Sequence, residues 1–320
     1  MSDQQKGILA MIGAGLIWGL TPILYKALSH IPATEILAHR TTWSLVFFAG
    51  ILGVQGRLGH IRLALTGKRQ IALILAAAAT ISINWFIFIL AIQIGHATEA
   101  SLGYYIFPLV AVVIGRFVFG ERLGPAQQVA VALAALAVGV LTWGLGVAPW
   151  ISLVLATSFG LYSAIKKHLP VGPMVSVTCE TLFFLPLGLG ILTYHHGNWP
   201  GSGQGVFGTN LTDSALLMLS GPLTALPLIL FAFAARRLTL STVGLMQFIN
   251  PTLQFVCAVA IFGEPFTQWH QIAFVLIWVA VAIFSIAALR QDKAARRSAM
   301  AASGVSTHVR NRASDASAKP

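Results

Sequence analysis

Long apolar runs separated by short polar segments fill most of the chain. They cover residues 7–28, 34–54, 71–92, 98–119, 172–193, 213–235, 240–262 and 268–289. A helix needs about 20 apolar residues to cross a hydrocarbon layer of about 30 Å, so each run is long enough for one transmembrane helix. Residues 125–165 carry no charge and are too long for one span, and Gly144, Gly146 and Pro149 divide them into two. The pattern therefore predicts an all-α integral membrane protein with ten transmembrane helices.

The composition is that of a chain solvated by lipid. Of the 320 residues, 57% are hydrophobic and 9% are charged, whereas soluble domains are about 45–50% apolar and about 25% charged. Ten spans leave no room for a separate catalytic or nucleic-acid-binding domain. The net charge of +11 would otherwise suggest a nucleic-acid partner, but the positions of the Lys and Arg residues have a membrane explanation. We therefore expect the lipid bilayer, and no nucleic acid, as a partner.

The distribution of positive charge predicts the orientation of the chain. With the N-terminus in the cytoplasm, 17 of the 20 Lys and Arg residues fall in inner segments or in the C-terminal tail. The outer loops contain none, and they are residues 29–33, 93–97, 145–149, 194–212 and 263–267. Cytoplasmic loops of membrane proteins carry such an excess of Lys and Arg. Both termini are therefore predicted to be cytoplasmic. The basic segment 291–320 is predicted to form a disordered tail that its charges hold near anionic lipid.

The two halves of the chain resemble each other. A shift of 143 residues aligns Pro108 with Pro251 and the sequence Phe-Gly-Glu at 119–121 with the same sequence at 262–264. Five spans separate the matched segments, and because five is odd the two halves are predicted to have opposite orientations in the membrane. Inverted repeats of this kind are typical of secondary transporters. The predicted units are two five-helix repeats and the tail: residues 1–145, 146–290 and 291–320.

Several short motifs resemble one transporter family. They are Glu35-Ile36-Leu37-x-His39-Arg40, Asn84-Trp85, Glu99-Ala100-Ser101-Leu102-Gly103-Tyr104, Glu180-Thr181 and Pro251-Thr252. Together with the repeated Phe-Gly-Glu helix ends, they are similar to the EamA domains of the drug/metabolite transporter superfamily, and more narrowly to its RarD-like permeases. The resemblance covers about residues 6–290 and departs from the family at Phe107, where a polar residue is expected. It implies a multi-pass permease of the bacterial inner membrane that moves a small organic metabolite or drug.

Ionisable side chains inside the spans are the first candidates for a transport site, because such groups are costly in a membrane unless they are paired or hydrated. Glu180 lies eight residues into its predicted helix and is the strongest candidate for a cation or proton site, with an ion pair to Arg40 or Lys26 as the structural alternative. Arg40 could bind a carboxylate or phosphate of a substrate. We expect it to pair with Glu180 in a central cavity, because neither charge is stable alone. His39 and Glu35 share its helix and are also candidates for the site. His39 could titrate, with an interior hydrogen bond as the alternative. Glu35 could belong to the site, with a helix cap as the alternative.

Polar and aromatic side chains near the middle of the spans complete the candidate site. They combine hydrogen-bonding groups with aromatic faces, as a pocket for a small molecule requires, although hydrogen bonding between packed helices would use the same groups. They are Asn84, Trp85, Tyr104, Tyr105, Gln247 and Asn250. Pro108 and Pro251 occupy matched positions and are candidate hinges, with simple kinks as the alternative. Two pairs of small residues, Gly15 with Gly19 and Ala135 with Gly139, have the spacing of close helix contacts.

A secondary transporter that works by alternating access fits these features best. A passive channel would need a ring of like residues around a pore, and none is visible. An intramembrane enzyme would need a motif such as His-Glu-x-x-His or Gly-x-Ser-x-Gly, and the sequence has neither. Cys179 and Cys257 lie in apolar runs and predict neither a disulfide nor a metal site. We therefore expect a small-molecule substrate and no enzymatic activity, cofactor or metal, and the sequence leaves open a coupling proton and a homodimer.

Overall fold

The structure is a computed structural model, and it describes residues 1–120, 123–197, 199, 205–290 and 294. Every regular element in this part of the chain is helical, as predicted. The helices are α1 Asp3–Ala27, α2 Ala33–Val54, α3 Gly59–Ala64, α4 Lys68–Gln93, α5 Ala97–Phe119, α6 Pro125–Leu145, α7 Trp150–Lys167, α8 Pro173–His196, α9 Leu211–Ala235, α10 Leu240–Met246, α11 Ile249–Val256 and α12 Gln268–Arg290. A π-helical turn, Cys257–Ile261, follows α11. The predicted tail, 291–320, lies outside the described residues except for Ala294.

Nine helical segments of the described chain are long and apolar enough to cross a membrane. They are α1, α2, α4, α5, α6, α8, α9, α12 and Thr242–Ile261, which joins α10, α11 and the π-helical turn. α7 is the tenth predicted span, and it is less apolar because it carries several hydroxyl side chains and ends in Lys166 and Lys167. Its 18 residues still extend about 27 Å, close to the thickness of the hydrocarbon layer. The structure therefore has the all-α membrane architecture that the sequence predicts.

The ninth span is broken in its first half. α10 and α11 are separated by Gln247 and Phe248. Pro251 accounts for the break, because proline has no N–H to donate to the carbonyl of residue 247. The N–H of Asn250 donates to that carbonyl instead, at 3.2 Å. The matched Pro108 lies inside the continuous helix α5, so the two candidate hinges differ in local structure.

Helices of the first half pack mainly against helices of the second. Three of these contacts each have a matching contact. The contact of α1 with α9 matches that of α4 with α7, and the contact of α2 with α9 matches that of α4 with α8. The contact of α1 with α11 matches that of α5 with α7. Exchanging each span of the first half for its counterpart in the second interconverts these pairs, as two equivalent halves would require. The inverted repeat, the two five-helix units and the cytoplasmic termini remain predictions. α6 and α12 lie at the periphery, beside the core cluster that contains Tyr105 and Phe274.

Small residues allow two of these helix pairs to approach closely. A Cβ at Gly19 would lie 2.6 Å from Leu253 Cβ, so the predicted contact at residues 15–19 is confirmed, with α11 as the partner. A Cβ at Gly221 of α9 would overlap the backbone of Trp43 in α2. The predicted contact at residues 135–139 is wrong within one copy of the chain, since no described atom lies within 4 Å of a Cβ built on Gly139. That face of α6 points outward from the bundle.

Candidate functional site

A cavity of about 150 Å³ lies between the two predicted halves. α1, α2, α4 and α5 line it from the first half, and α7, α9, α10 and α11 from the second. Its aromatic wall includes Trp18, Trp85, Tyr104, Phe159 and Tyr162. Its polar side chains include Arg40, Asn84, Thr224, Gln247, Asn250 and Gln254. A mostly apolar wall with a few polar groups is the usual composition of a small-molecule pocket.

The structure brings most of the predicted site residues to this cavity. Those that line it are Arg40, Asn84, Trp85, Tyr104, Gln247 and Asn250, together with both predicted hinges, Pro108 and Pro251. Those that are not among its lining residues are Glu35, His39, Tyr105 and Glu180. Tyr105 instead places its hydroxyl 2.7 Å from Thr252 Oγ1 and packs its ring among aromatic residues of α12. The three ionisable residues belong to two separate clusters on α2 and α8.

Arg40 brings a positive charge to the cavity without an acidic partner. The residue is only 6% exposed, and its guanidinium carbon lies 4.2 Å from the centre of the Trp85 ring and 5.7 Å from that of Tyr25. Within the described residues Arg40 forms no ion pair, and its Nε has no hydrogen-bond partner. Cation–π contacts contribute about 2 kcal/mol when they are desolvated, which is less than the cost of burying a charge. The cavity therefore offers a favourable place for an anion.

Asn84 ties three helices together beside Arg40. Its Nδ2 donates to Leu155 O and to Ser158 Oγ of α7, both at 3.0 Å. Its Oδ1 accepts a hydrogen bond from the Tyr104 hydroxyl of α5 at 2.8 Å. Both amide hydrogens are thus used inside the protein, and the residue is fully buried. Asn84 therefore holds the Tyr104 ring in the cavity wall, and interhelical hydrogen bonding is its main structural role.

Glu180 forms a buried ion pair with Lys166. Glu180 Oε1 lies 2.6 Å from Lys166 Nζ and accepts a second hydrogen bond from Ser176 Oγ at 2.6 Å. The Tyr162 hydroxyl donates to Glu180 Oε2 at 3.1 Å. The predicted pairing of Glu180 with Arg40 or Lys26 is therefore wrong, because Lys166 in the last turn of α7 reaches Glu180 and supplies the cation. Tyr162 also lines the cavity, so one hydrogen bond joins Glu180 to the cavity wall.

Comparisons with known proteins place the chain in a family. A sequence model of the EamA-like transporter family matches residues 5–143. Protein RarD of Streptomyces exfoliatus is 43% identical over 298 residues, which cover 92% of this chain and 93% of that protein. The chain belongs to the EamA-like transporter family, in its RarD-like group. An uncharacterized transporter of Vibrio cholerae is 41% identical to this EamA-like transporter over 295 residues, which cover 92% of this chain and 97% of the Vibrio protein.

A solved crystal structure supports the fold of this EamA-like transporter. It has a TM-score of 0.55 and 18% sequence identity, and it covers 88% of this chain and 97% of its own chain. At that level of identity the similarity concerns the fold alone. The family and the nine apolar helices of the described chain together make this a multi-pass membrane protein.

Sequence reasoning missed several functional candidates in this EamA-like transporter. Lys166 is one of the basic residues counted in the inner segments, although its position fourteen residues before Glu180, across a short connection between consecutive helices, is a usable signal of an ion pair. Trp18 and Tyr162 gave no signal, because aromatic residues are common on the packed faces of membrane helices. Gln254 donates from Nε2 to Asn250 Oδ1 at 2.9 Å, and its buried Oε1 has no hydrogen-bond partner in the described structure. It follows Gln247 by seven residues, and both side chains line the cavity.

Proposed function

We propose that this protein is a secondary transporter that carries a small organic solute across the bacterial inner membrane by alternating access. The solute is proposed to carry a carboxylate or phosphate group. We further propose that the protein has no enzymatic activity of its own. These statements are narrower than membership of the family, which by itself names neither a solute nor a coupling ion nor a direction.

The cavity that contains Arg40 is the observation that carries the proposal. Helices of both halves line it, so a movement of one half against the other would change its shape and its access to either side. Arg40 is buried there without an acidic partner in the described chain. An anionic group bound to the guanidinium would supply the missing negative charge, and such bonds are frequently bidentate.

The size and lining of the cavity support a compact solute with an apolar or aromatic body. In another protein an engineered cavity of about 150 Å³ binds benzene, and this cavity has a volume of about 150 Å³. The rings of Trp85 and Tyr104 offer faces for stacking. The unpartnered Oε1 of Gln254 would accept a hydrogen bond from the solute.

The break in the ninth span supports a movement of the halves at this level. Discontinuous helices commonly flank the substrate sites of secondary transporters. Pro251 lies beside the break and Pro108 lies in α5, and both line the cavity. We therefore propose that the two prolines mark the points where the wall of the cavity bends.

A proton bound to Glu180 would be a route for coupling. Its carboxylate is connected to the cavity wall through the Tyr162 hydroxyl and forms an ion pair with Lys166. Protonation of Glu180 would weaken its bond to Lys166 and release Tyr162 to the cavity. We propose this as the means by which a proton gradient would act on the cavity.

The solute is best identified by comparing the metabolites of bacterial cells with and without the protein. The expected differences are organic anions, and each is then tested for uptake into proteoliposomes. Arg40→Gln should weaken uptake by about 10- to 100-fold, since a hydrogen bond to a charged group contributes about 1.5–3 kcal/mol. Arg62→Gln is the matched control, because it removes one exposed cation on α3, away from the cavity. Equal uptake by Arg40→Gln and the wild type would contradict the assigned role of Arg40.

A passive channel is the competing function. Uptake by a carrier saturates and is slow, because each cycle needs a conformational change. It should also be accelerated by unlabelled solute on the far side, since exchange avoids the return of the empty carrier. Flux that rises linearly with solute concentration and shows no such exchange would favour the channel.

A further inference from the structure

Three side chains with metal-ligand atoms meet where the first turns of α2 approach the last turn of α8. They are Glu35, His39 and His196, and one ligand atom from each lies within 4.8 Å of the other two. Glu35 is 0% exposed and His39 is 4% exposed. The His196 side chain is 35% exposed. The cluster is therefore buried on the α2 side and open on the α8 side.

Hydrogen bonding within the described protein leaves this cluster incomplete. Glu35 Oε1 accepts the N–H of Val206 at 3.0 Å and lies 3.7 Å from His196 Nε2, which is too far for a hydrogen bond. Glu35 Oε2 and His39 Nε2 are both buried and have no partner. Each buried polar atom left without a partner is costly, so two in one cluster call for a ligand that satisfies both.

The arrangement suits a divalent transition metal. Glu35 and His39 are four residues apart on α2, which places them one turn apart on the same face of the helix. Two imidazoles and one carboxylate are a common ligand set for zinc, with a fourth position left for water. His39 also packs against the Phe207 ring, with 4.6 Å between the ring centres. This contact limits the orientations of the imidazole and shields the buried side of the cluster from water.

We propose that Glu35, His39 and His196 form a binding site for a divalent transition-metal ion, with Zn²⁺ as the best match. The ligand atoms of a tetrahedral zinc site are about 3.3 Å apart, so separations of up to 4.8 Å in the cluster must shorten by at most about 1.5 Å on binding. His196 can supply this movement, because it is the most exposed of the three and ends its helix. No metal-ligand motif reveals the site in the sequence, since α2 and α8 belong to opposite halves of the chain.

Metal binding here would fasten the two halves at one end of the bundle. α2 belongs to the first predicted half and α8 to the second, and the cluster lies at the end predicted to face outward. Arg40 follows His39 directly in α2, so the bound ion would hold the helix that carries the cavity cation. Under the proposed transport function, the metal would oppose opening of the cavity at this end. The binding claim itself does not depend on transport.

Cobalt titration of the full chain in detergent tests the site directly. Co²⁺ replaces Zn²⁺ in such sites and absorbs visible light when it is four- or five-coordinate, and the protein must be free of any polyhistidine tag. The wild type should bind one Co²⁺ per chain, Zn²⁺ should displace it, and Mg²⁺ should not. His196→Gln should lose the visible absorption and weaken binding at least about tenfold, given that even outer-shell partners of a metal site contribute 10- to 100-fold.

His96→Gln is the matched control. His96 Nδ1 lies 2.7 Å from Glu99 Oε1 at the same predicted end of the bundle, so the pair resembles His196 with Glu35 but has no third ligand among the residues that the structure describes. The control should bind Co²⁺ as the wild type does. Zn²⁺ should also raise the thermal unfolding temperature of the wild type and of His96→Gln but not of His196→Gln. His196 is partly exposed, so its variant should fold, and unchanged gel-filtration behaviour would verify this.

Two results would overturn the proposal. One is the absence of saturable Co²⁺ or Zn²⁺ binding by the wild type at micromolar concentrations. The other is equal binding by the wild type and a folded His196→Gln. The cluster would in either case be a polar network completed by water.

Discussion

Removal of Lys166 should destabilise the protein much more than removal of its partner. Lys166→Met would leave the Glu180 carboxylate, which is 2% exposed, with two hydroxyl donors and no cation. Glu180→Gln would instead leave Lys166, whose side chain is 20% exposed and lies in the last turn of α7. That amine can turn toward water at the membrane surface, as long basic side chains do. The two single variants therefore should not be equivalent.

The magnitudes follow from burial and from the remaining hydrogen bonds. Breaking a buried ion pair by removing one partner costs about 3–5 kcal/mol. Ser176 and Tyr162 still donate to Glu180 in Lys166→Met, so we expect the lower end, about 3 kcal/mol. Glu180→Gln should cost about 1–2 kcal/mol. The double variant, Lys166→Met with Glu180→Gln, leaves no buried charge at this site. It should be more stable than Lys166→Met by about 1–2 kcal/mol.

Equilibrium unfolding in mixed micelles of a mild detergent and SDS, followed by tryptophan fluorescence, measures these free energies. Lys6→Met is the control, because the Lys6–Asp3 pair is exposed and spans 3.5 Å. An exposed pair contributes about 0–1 kcal/mol. If the losses in the two single variants simply add in the double variant, Lys166 and Glu180 do not interact. A loss for Lys166→Met no larger than that for Lys6→Met would refute the buried pair.

Three further predictions concern packing and topology. Asn84→Leu removes the hydrogen bonds that join α4 to α5 and α7, and SDS unfolding should show a loss of about 1–3 kcal/mol. Gly221→Ala should cost about 1–3 kcal/mol, because its Cβ would overlap the backbone of α2, whereas Gly139→Ala, in open space, should be neutral or stabilising by the same assay. A cysteine at Thr209 should react with an impermeant thiol reagent from outside the cell, and one at Lys68 should react only after the membrane is opened. The reverse labelling pattern would overturn the predicted orientation.

The spans were predictable because their signal is local. A run of about 20 apolar residues is sufficient for a membrane helix whatever it packs against, and the structure places helices at all ten predicted positions. The break beside Pro251 was predictable as a distortion but not in form, since the matched Pro108 leaves α5 continuous. Whether a proline breaks or only bends a helix depends on the neighbours that take over the freed hydrogen bonds.

The candidate site was only partly predictable, because the sequence indicates depth in the membrane but not the direction in which a side chain points. The sequence predicts a pair of Glu180 with Arg40 because neither charge is stable alone in a span, yet Glu180 faces Lys166 on α7 and Arg40 faces Trp85 on α4. Tyr104 and its neighbour Tyr105 show the same limit. One lines the cavity and the other packs beside α12, because adjacent helical residues point about 100° apart.

The partner of Glu180 changes what the cavity can do. Of the described residues that line the cavity, only Arg40 carries a charge, and Lys166 already neutralises Glu180. An arriving anion therefore would not have to displace an internal carboxylate from Arg40. In the proposed transport cycle, the empty cavity keeps a positive charge that is costly to enclose, while the cavity loaded with an anion is neutral. Differential stabilisation of this kind is what a ligand needs to shift the halves between conformations. A neutral solute of the same shape would leave the charge of Arg40 in place and so would not favour enclosure.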